Sequence, residues 1–279
     1  MSAPSLEELL GSAMALPTLP QVVNHILDTL NDENADADAL VHNLNTDPAI
    51  VARLLAAANS SAFGLSSQVS STRQAVLVLG LKTVRSITLA TALIERFGHT
   101  TSGFDGRQLW RHSLGVATCA EVLAEQASCH PEAAFSAGLL HDIGQLLMVA
   151  AAPDPCAAVR IRMQQENEPI IVAERAVFGY DHAIAGAELA RLWKLPQGII
   201  DGIHGHHCPE SGSDGEIGDL VHIAEVLSHA LDLGEAPRNL VPDVAEIALM
   251  RLGLEWRQLT SCFAEIEARY EGVRGVLGL

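Results

Sequence analysis

Apolar residues recur along this chain at helical spacing, and turn formers cut the pattern into short segments. Residues 6–14 predict a first helix, which ends at Leu16-Pro17-Thr18-Leu19-Pro20, where two prolines bracket a turn. Val22, Val23, Ile26, Leu27 and Leu30 make a second stripe, and the polar break Asn31-Asp32-Glu33-Asn34 precedes a third helix carrying Leu40, Val41 and Leu44. Asp47 is a good N-cap and Pro48 suits a first helical position, so another helix is expected from there through Ile50, Val51, Leu54 and Leu55. It ends at Asn59-Ser60-Ser61, which reads as a helix C-terminus. A loop over 64–71 leads into residues 72–79, Gly80 and a further helix over 82–96.

Residues 99–105, rich in Thr, Ser and Gly, read as a linker, and a second block of helices starts at Gly106. Its alanine-rich stretches, 116–127 and 183–192, have high helix propensity and can pack closely. Pro153-Asp154-Pro155 and Lys194-Leu195-Pro196 are breakers, and residues 211–215 form a surface loop. A helix over 216–231 and two more after Asp243 complete the chain. Only the short 169–172 run approaches the alternation of a strand, so the fold class is all-α. The expected division is an N-terminal helical part over 1–99, a bundle over 106–232 and a helical extension over 233–279.

Composition narrows the function classes. With 48% hydrophobic and 18% charged residues over 279 positions, the chain can bury a sizeable core and is not disordered. Thirty-four acids against 17 bases give a net charge of −17, and only Lys82 and Lys194 are lysines. Such a surface repels phosphate backbones and anionic lipid, which argues against direct nucleic-acid binding and against a membrane partner. The five cysteines, Cys119, Cys129, Cys156, Cys208 and Cys262, are widely spaced and odd in number, which fits a reducing cytoplasm. No basic-then-apolar leader and no run of about 18 consecutive apolar residues occurs, so a cytoplasmic location is expected.

Chemistry concentrates in the second block. His112, the adjacent pair His141-Asp142, His182 and the adjacent pair His206-His207 are spaced so that separate helices could bring them together in a bundle interior. Imidazole and carboxylate are the standard nitrogen and oxygen ligands of divalent transition metals. His141 and Asp142 are expected on one helical turn, within the apolar run Gly138-Leu139-Leu140 to Leu146-Leu147. A buried carboxylate there needs a partner or an ion. Gly138 and Gly144 are poor helix residues and suggest close approach of another helix or a cofactor. His206-His207 also reads as a loop pair, and His204 and His222 are open between supporting and surface roles. His25, His42, His130 and His229 read as ordinary core or rim histidines.

These residues carry a resemblance. The order His, His-Asp, His, His-His is similar to the HD superfamily of metal-dependent phosphohydrolases, and residues 15–230 resemble its HDOD branch, the HD-related output domains of bacterial signalling proteins. The likeness extends to Leu16-Pro17-Thr18-Leu19-Pro20-Gln21-Val22-Val23 and to Asp47-Pro48-Ala49-Ile50-Val51-Ala52-Arg53-Leu54-Leu55 with Ala58-Asn59-Ser60. It continues in Gln74-Ala75-Val76-Leu77-Val78-Leu79-Gly80-Leu81 and in Leu192-Trp193-Lys194-Leu195-Pro196. The resemblance implies an N-terminal helical subdomain packed on an HD-type bundle. It also implies a late acidic ligand, and Ile223-Ala224-Glu225-Val226-Leu227 places Glu225 where HD enzymes carry aspartate.

The implied ligand set is His112, His141, Asp142 and Glu225 for one ion, with His182, His206 and His207 holding a second and Asp142 bridging. Mixed imidazole and carboxylate donors suit Fe, Mn, Ni, Co or Zn better than Mg or Ca. In a hydrolytic reading Asp142 is the catalytic residue, and the substrate is a nucleotide or another small phosphoester. After His206-His207 the related cyclic-di-GMP phosphodiesterases carry an Asp-Gly-x-Gly-Tyr-Pro-like run, where this chain has Cys208-Pro209-Glu210-Ser211-Gly212. Cyclic-di-GMP hydrolysis is therefore not expected. The competing class is a regulatory output module that binds other signalling proteins, its input arriving by a partner or ligand. In that reading the N-terminal half carries the partner surface. Leu54-Leu55 and the 76–81 stripe are expected in the core, and Arg53, Arg73 and Arg85 on the surface as interface anchors.

Overall fold

The structure is a computed structural model that describes residues 3–13, 23, 24, 26, 37–60, 68–97, 104–211, 215–234 and 241–279. Its elements are helical throughout, as the patterning predicts. In the N-terminal half α1 spans Leu6–Ala13, α2 Ala37–Leu44, α3 Pro48–Ala58 and α4 Thr72–Phe97. The Leu16 to Pro20 turn and most of the second stripe fall outside the described residues. Asp47 caps α3, its carboxylate accepting from the backbone N–H of Ala49 at 3.0 Å and Ile50 at 3.4 Å. At the other end the Asn59 amide donates to the carbonyls of Leu55 and Val69 and accepts from Val69 N–H, all at 2.8 Å, so it is a structural staple. Gly80 breaks α4 with φ 76° and ψ 156°, a backbone conformation that residues with a Cβ avoid.

The second block contains α5 (Gly106–Gln126), α6 (Pro131–Leu140), α7 (Ile143–Ala151), α8 (Pro153–Glu166) and α9 (Ile170–Phe178). It continues with α10 (His182–Leu192), α11 (Gln197–Gly205), a 3-10 turn at Pro209–Ser211 and α12 (Gly215–Ala230). Helices α5, α6, α11 and α12 pack on one another as the central bundle, and α10 joins it through α7 and α11. The strand-like run at 169–172 is the start of helix α9, because Pro169 supplies the extended N-cap and the β-branched residues after it fit a helix face. Pro153 likewise opens α8 as its first residue instead of only ending α7.

Three C-terminal helices follow where two were expected: α13 (Glu246–Leu252), α14 (Trp256–Ser261) and α15 (Phe263–Leu277). Helix α15 returns across the molecule to pack on α3, α4 and α5. Arg53 donates to Val276 O at 2.5 Å, and Arg107 donates to Gly278 O. Arg269 meets Glu125 at 2.9 Å and Glu121 at 3.4 Å, and Lys82 pairs with the same two acids. Beneath this clasp lies a cavity of about 570 Å³ lined by Ala57, Leu79, Ile87, Phe135, Val273 and Val276 among others.

Two surface expectations change. Arg85 is buried, not exposed, and pairs with Glu132 across α4 and α6 at 3.2 Å. Arg53 is half-buried by its bond to α15, which leaves Arg73 exposed. In the 76–81 stripe, Leu77 points outward with 80% exposure while Val76 and Leu79 are buried. By mean hydropathy two stretches, Thr72–Glu95 and Pro131–Ala151, are long and apolar enough to cross a membrane. They are 61% and 72% buried inside the fold, and the second contains the His141-Asp142 pair, so both read as core helices.

Candidate metal centre

The seven sequence-predicted residues come from five places in the bundle. His112 lies on α5, His182 opens α10 and Glu225 lies on α12. His206 and His207 directly follow α11. His141 and Asp142 do not share a helical turn. They are the two-residue link between α6 and α7, because Asp142 leaves the helical region at φ −97° and ψ 10° and ends one helix while capping the next. Close helix contacts fix this link. A Cβ on Gly138 would lie 2.8 Å from Ala117 Cα of α5, and one on Gly144 would lie 2.0 Å from His182 O of α10. The two glycines therefore mark helix packing.

The side chains converge. His182 Nε2 is 3.1 Å from Asp142 Oδ1, and His141 Nε2 is 3.4 Å from both Asp142 Oδ2 and Glu225 Oε2. His112 Nε2 is 3.0 Å from Glu225 Oε2, and His207 Nε2 is 3.0 Å from His182 Nε2. Two sets drawn from the predicted residues, His112-His141-Asp142 and His182-His206-His207, each bring three ligand atoms within 4.8 Å of one another.

The hydrogen bonds around the rings assign their tautomers. His141 Nδ1 is 2.7 Å from Gly138 O, and His206 Nδ1 is 2.7 Å from Ile203 O. A carbonyl only accepts, so each Nδ1 carries the proton and, in the neutral ring, Nε2 presents a lone pair to the centre. His182 Nδ1 is held by Glu174 Oε2 at 2.6 Å, and the same oxygen accepts from His182 N–H at 2.9 Å. His182 and His207 thus face each other through their Nε2 atoms, an arrangement that calls for a proton or a cation between them.

The electrostatics are divided. Burial, then the neighbouring imidazoles, holds His206 well below the usual histidine range and lowers His207 to about 3. Burial also opposes charge on His141, but Asp142 and Glu225 outweigh it and push the pKa to about 10. His182 is raised in the same way by Glu174 and Asp142. Burial works against ionised Asp142 and Glu225, yet the facing histidines keep both well below the usual carboxylate range. Without an ion, protons on His141 and His182 balance the carboxylates. His141 Nε2, His206 Nε2 and Glu225 Oε2 are buried without a well-aligned hydrogen bond, although His141 and His112 approach Glu225 Oε2 to 3.4 and 3.0 Å. Donor types, tautomers and these three orphan atoms all fit a divalent transition ion.

Three residues outside the predicted set support the centre. Glu174 orients His182. His222 donates from Nδ1 to His206 O at 2.8 Å and accepts Ala245 N–H at Nε2 at 3.1 Å, so it ties the histidine pair to the C-terminal segment. His229, read as an ordinary rim histidine, has Nε2 3.0 Å from Glu225 Oε1. Its four-residue spacing from Glu225 on α12 is the signal that could have found it. His42 and His130 are exposed, His204 is half-buried on α11, and His25 lies outside the described residues.

Among known families, the HDOD domain matches residues 16–209. This chain belongs to the HDOD family. An HDOD domain protein of unknown function from Geobacter sulfurreducens superposes with a TM-score of 0.80 at 28% identity, covering 96% of this chain and 97% of that one. A candidate phosphohydrolase from Shewanella amazonensis SB2B gives 0.77 at 27% identity, covering 97% and 98%. An uncharacterised protein of Treponema pallidum (strain Nichols) is 26% identical over 233 residues, 81% of this chain and 44% of that protein. The chain spans less than half the length of the curated relatives it matches.

Proposed function

We propose that this HDOD chain is a bacterial, cytoplasmic signalling module that holds a divalent transition metal and acts by contact with other signalling proteins. The observation that carries the metal is the set of orphan atoms: His141 Nε2, His206 Nε2 and Glu225 Oε2, buried without well-aligned hydrogen bonds. Each unsatisfied buried polar group costs about 1–3 kcal/mol, and cations held by the two sets, one with His141 beside Glu225 and one with His206, would remove those penalties. The Cys208-Pro209-Glu210-Ser211-Gly212 run after His206-His207 supports contact over turnover. Among the described residues of the centre, His141, His182 and His206 are at most 1% exposed, and His112, His207 and His229 are half-buried. Partner contact is assigned to the N-terminal half, where exposed Arg73 and Leu77 stand together on α4.

A second reading, metal-dependent hydrolysis of a nucleotide or other small phosphoester, is favoured by the position of Asp142. Its two oxygens reach His141 and His182 separately, which suits a carboxylate shared between two sites. When bound, Fe, Mn, Ni, Co or Zn would supply Lewis acidity toward a phosphoryl oxygen. The chain's own part would be to orient that group against Asp142 and to exclude bulk water by the burial of His182 and His206.

Elemental analysis after metal-replete expression tests the shared premise, and metal absent above trace amounts overturns both readings. A panel of phosphoesters with Mn²⁺ or Fe²⁺ separates the two. No turnover is expected, including with cyclic-di-GMP. Turnover abolished by Asp142→Ala would put hydrolysis first. Capture of a partner that is weakened by Arg73→Glu or Leu77→Asp, with metal content unchanged, supports the module.

A further inference from the structure

Glu225, His112 and His229 form a third cluster, in which His112 Nε2, a Glu225 oxygen and His229 Nε2 all lie within 4.8 Å of one another. It stands at the edge of the centre. The side chains of His112 and His229 are 14% and 16% exposed, whereas that of His182 is fully buried. Glutamate's extra methylene relative to aspartate has a visible use here. Its two oxygens diverge, Oε2 toward His112 at 3.0 Å and His141 at 3.4 Å, Oε1 toward His229 at 3.0 Å. Glu225 and His229 are four residues apart on α12, so one helix face presents both groups in a fixed relation, as helix-borne ligand pairs require.

We propose that His229 is a metal ligand, completing with His112 and Glu225 an outer site at the rim of the centre. The site takes a borderline divalent ion such as Zn²⁺ or Co²⁺. This rests on the metal-centre reading above and adds to it a ligand and a route of entry. Two imidazole nitrogens and a carboxylate suit such ions, with a fourth position left to solvent or to His141. The simple alternative is that His229 only hydrogen-bonds Glu225. Buried Glu225 Oε2 has no well-aligned hydrogen bond although His112 Nε2 lies 3.0 Å and His141 Nε2 3.4 Å away, and a bond from His229 to the other oxygen leaves that deficit in place. An ion held by the cluster removes it. The inner cluster of His182, His206 and His207, with Asp142 beside it, is separate enough to load on its own. The rim position makes the outer site the first to meet an ion from solution and the first to lose it to a chelator.

The test is titration of the chelator-stripped full chain with Co²⁺, read by visible absorption, and with Zn²⁺ by competition against a chromophoric chelator. Wild type is expected to bind two ions in distinguishable steps. His229→Ala should lose one equivalent or weaken one step at least tenfold, with the other step intact. His229→Gln retains a hydrogen-bond donor for Glu225 but not the imidazole, and should behave as the alanine variant does; circular dichroism of the apo forms checks the fold. Wild-type stoichiometry, affinity and Co²⁺ spectrum in both variants would overturn the role of His229 while leaving the metal centre standing. The same result in His229→Gln alone reduces His229 to a hydrogen-bond partner and overturns the proposal equally. A wild-type chain that takes up no Co²⁺ or Zn²⁺ overturns this inference; metal found by elemental analysis after metal-replete expression then keeps the metal-centre reading standing, and metal absent there overturns both.

Discussion

Gly144→Ala isolates how helix packing sets the centre. The new methyl would sit 2.0 Å from His182 O and 2.7 Å from Gly186 N, both backbone atoms, so no rotamer change can make room. Restoring even a tight contact requires α10 to retreat by about 1 Å, and overpacking of this kind costs about 1–3 kcal/mol. The gain in helix propensity, up to about 1 kcal/mol, offsets part of this. A net loss of about 1–2 kcal/mol lowers Tm by about 2–8 °C for a chain of this size. His182 opens α10 and stands 3.1 Å from Asp142, so the same retreat pulls a ligand out of register by several times the roughly 0.2 Å tolerance of a metal bond. Metal affinity should fall at least tenfold. Gly198 provides the control, because it occupies the corresponding second position of α11 and its added Cβ meets nothing closer than Ile217 Cγ1 at 3.6 Å. Gly198→Ala should hold or raise Tm and leave metal binding alone. Differential scanning calorimetry of the apo proteins and Zn²⁺ competition read both effects. A Gly144→Ala protein that melts no lower than Gly198→Ala, with wild-type Zn²⁺ affinity, would refute the reasoning.

Asp142→Ala should reduce the metal content of purified protein far more than His130→Ala, whose side chain is exposed away from the centre; equal losses in elemental analysis would contradict the assignment. Glu174→Gln removes the charge behind His182 while keeping its shape, and should weaken metal binding about 10–100-fold in a competition titration, as loss of a carboxylate behind a ligating histidine commonly does. Loading must displace protons from His141 and His182, whose pKa values are raised. Apparent affinity should therefore climb as pH rises through neutrality and level off near His141's value of about 10. The sign follows from the raised values: at lower pH the protonated form of His141 is stabilised by Asp142 and Glu225 and competes with the ion. Calorimetric titration in buffers of different ionisation enthalpy checks it by counting protons released, and a count of zero at neutral pH would contradict the scheme.

The helices and the group of candidate residues that converge were legible because both leave periodic or chemical marks. Asp47 before Pro48 announced α3, and His141-Asp142 stood out because an adjacent acid and imidazole within an apolar run need a reason. What the chain could not show locally was the bend between them: whether Asp142 continues a helix or starts another depends on α10 pressing on Gly144. Arg85 looked like a surface cation because arginine normally is one. Only the approach of α6 supplies Glu132 and buries it. Glu174 was missed because nothing in its own sequence neighbourhood marks it; its meaning lies in the turn that brings it under His182.

The clasp made by α15 has a consequence for synthesis. Its partners on α3, α4 and α5 lie up to 223 residues earlier in the chain, as in the bond from Arg53 to Val276. At about 5–20 residues per second, a ribosome that has finished α5 needs on the order of 10 s more to deliver residues 263–277. During that interval Ala57, Leu79, Ile87 and Phe135 have no lid over them. A nascent chain of this sequence should therefore spend seconds with an apolar cleft open to solvent. That is the window in which a holdase chaperone can bind it and in which slowed translation is most hazardous.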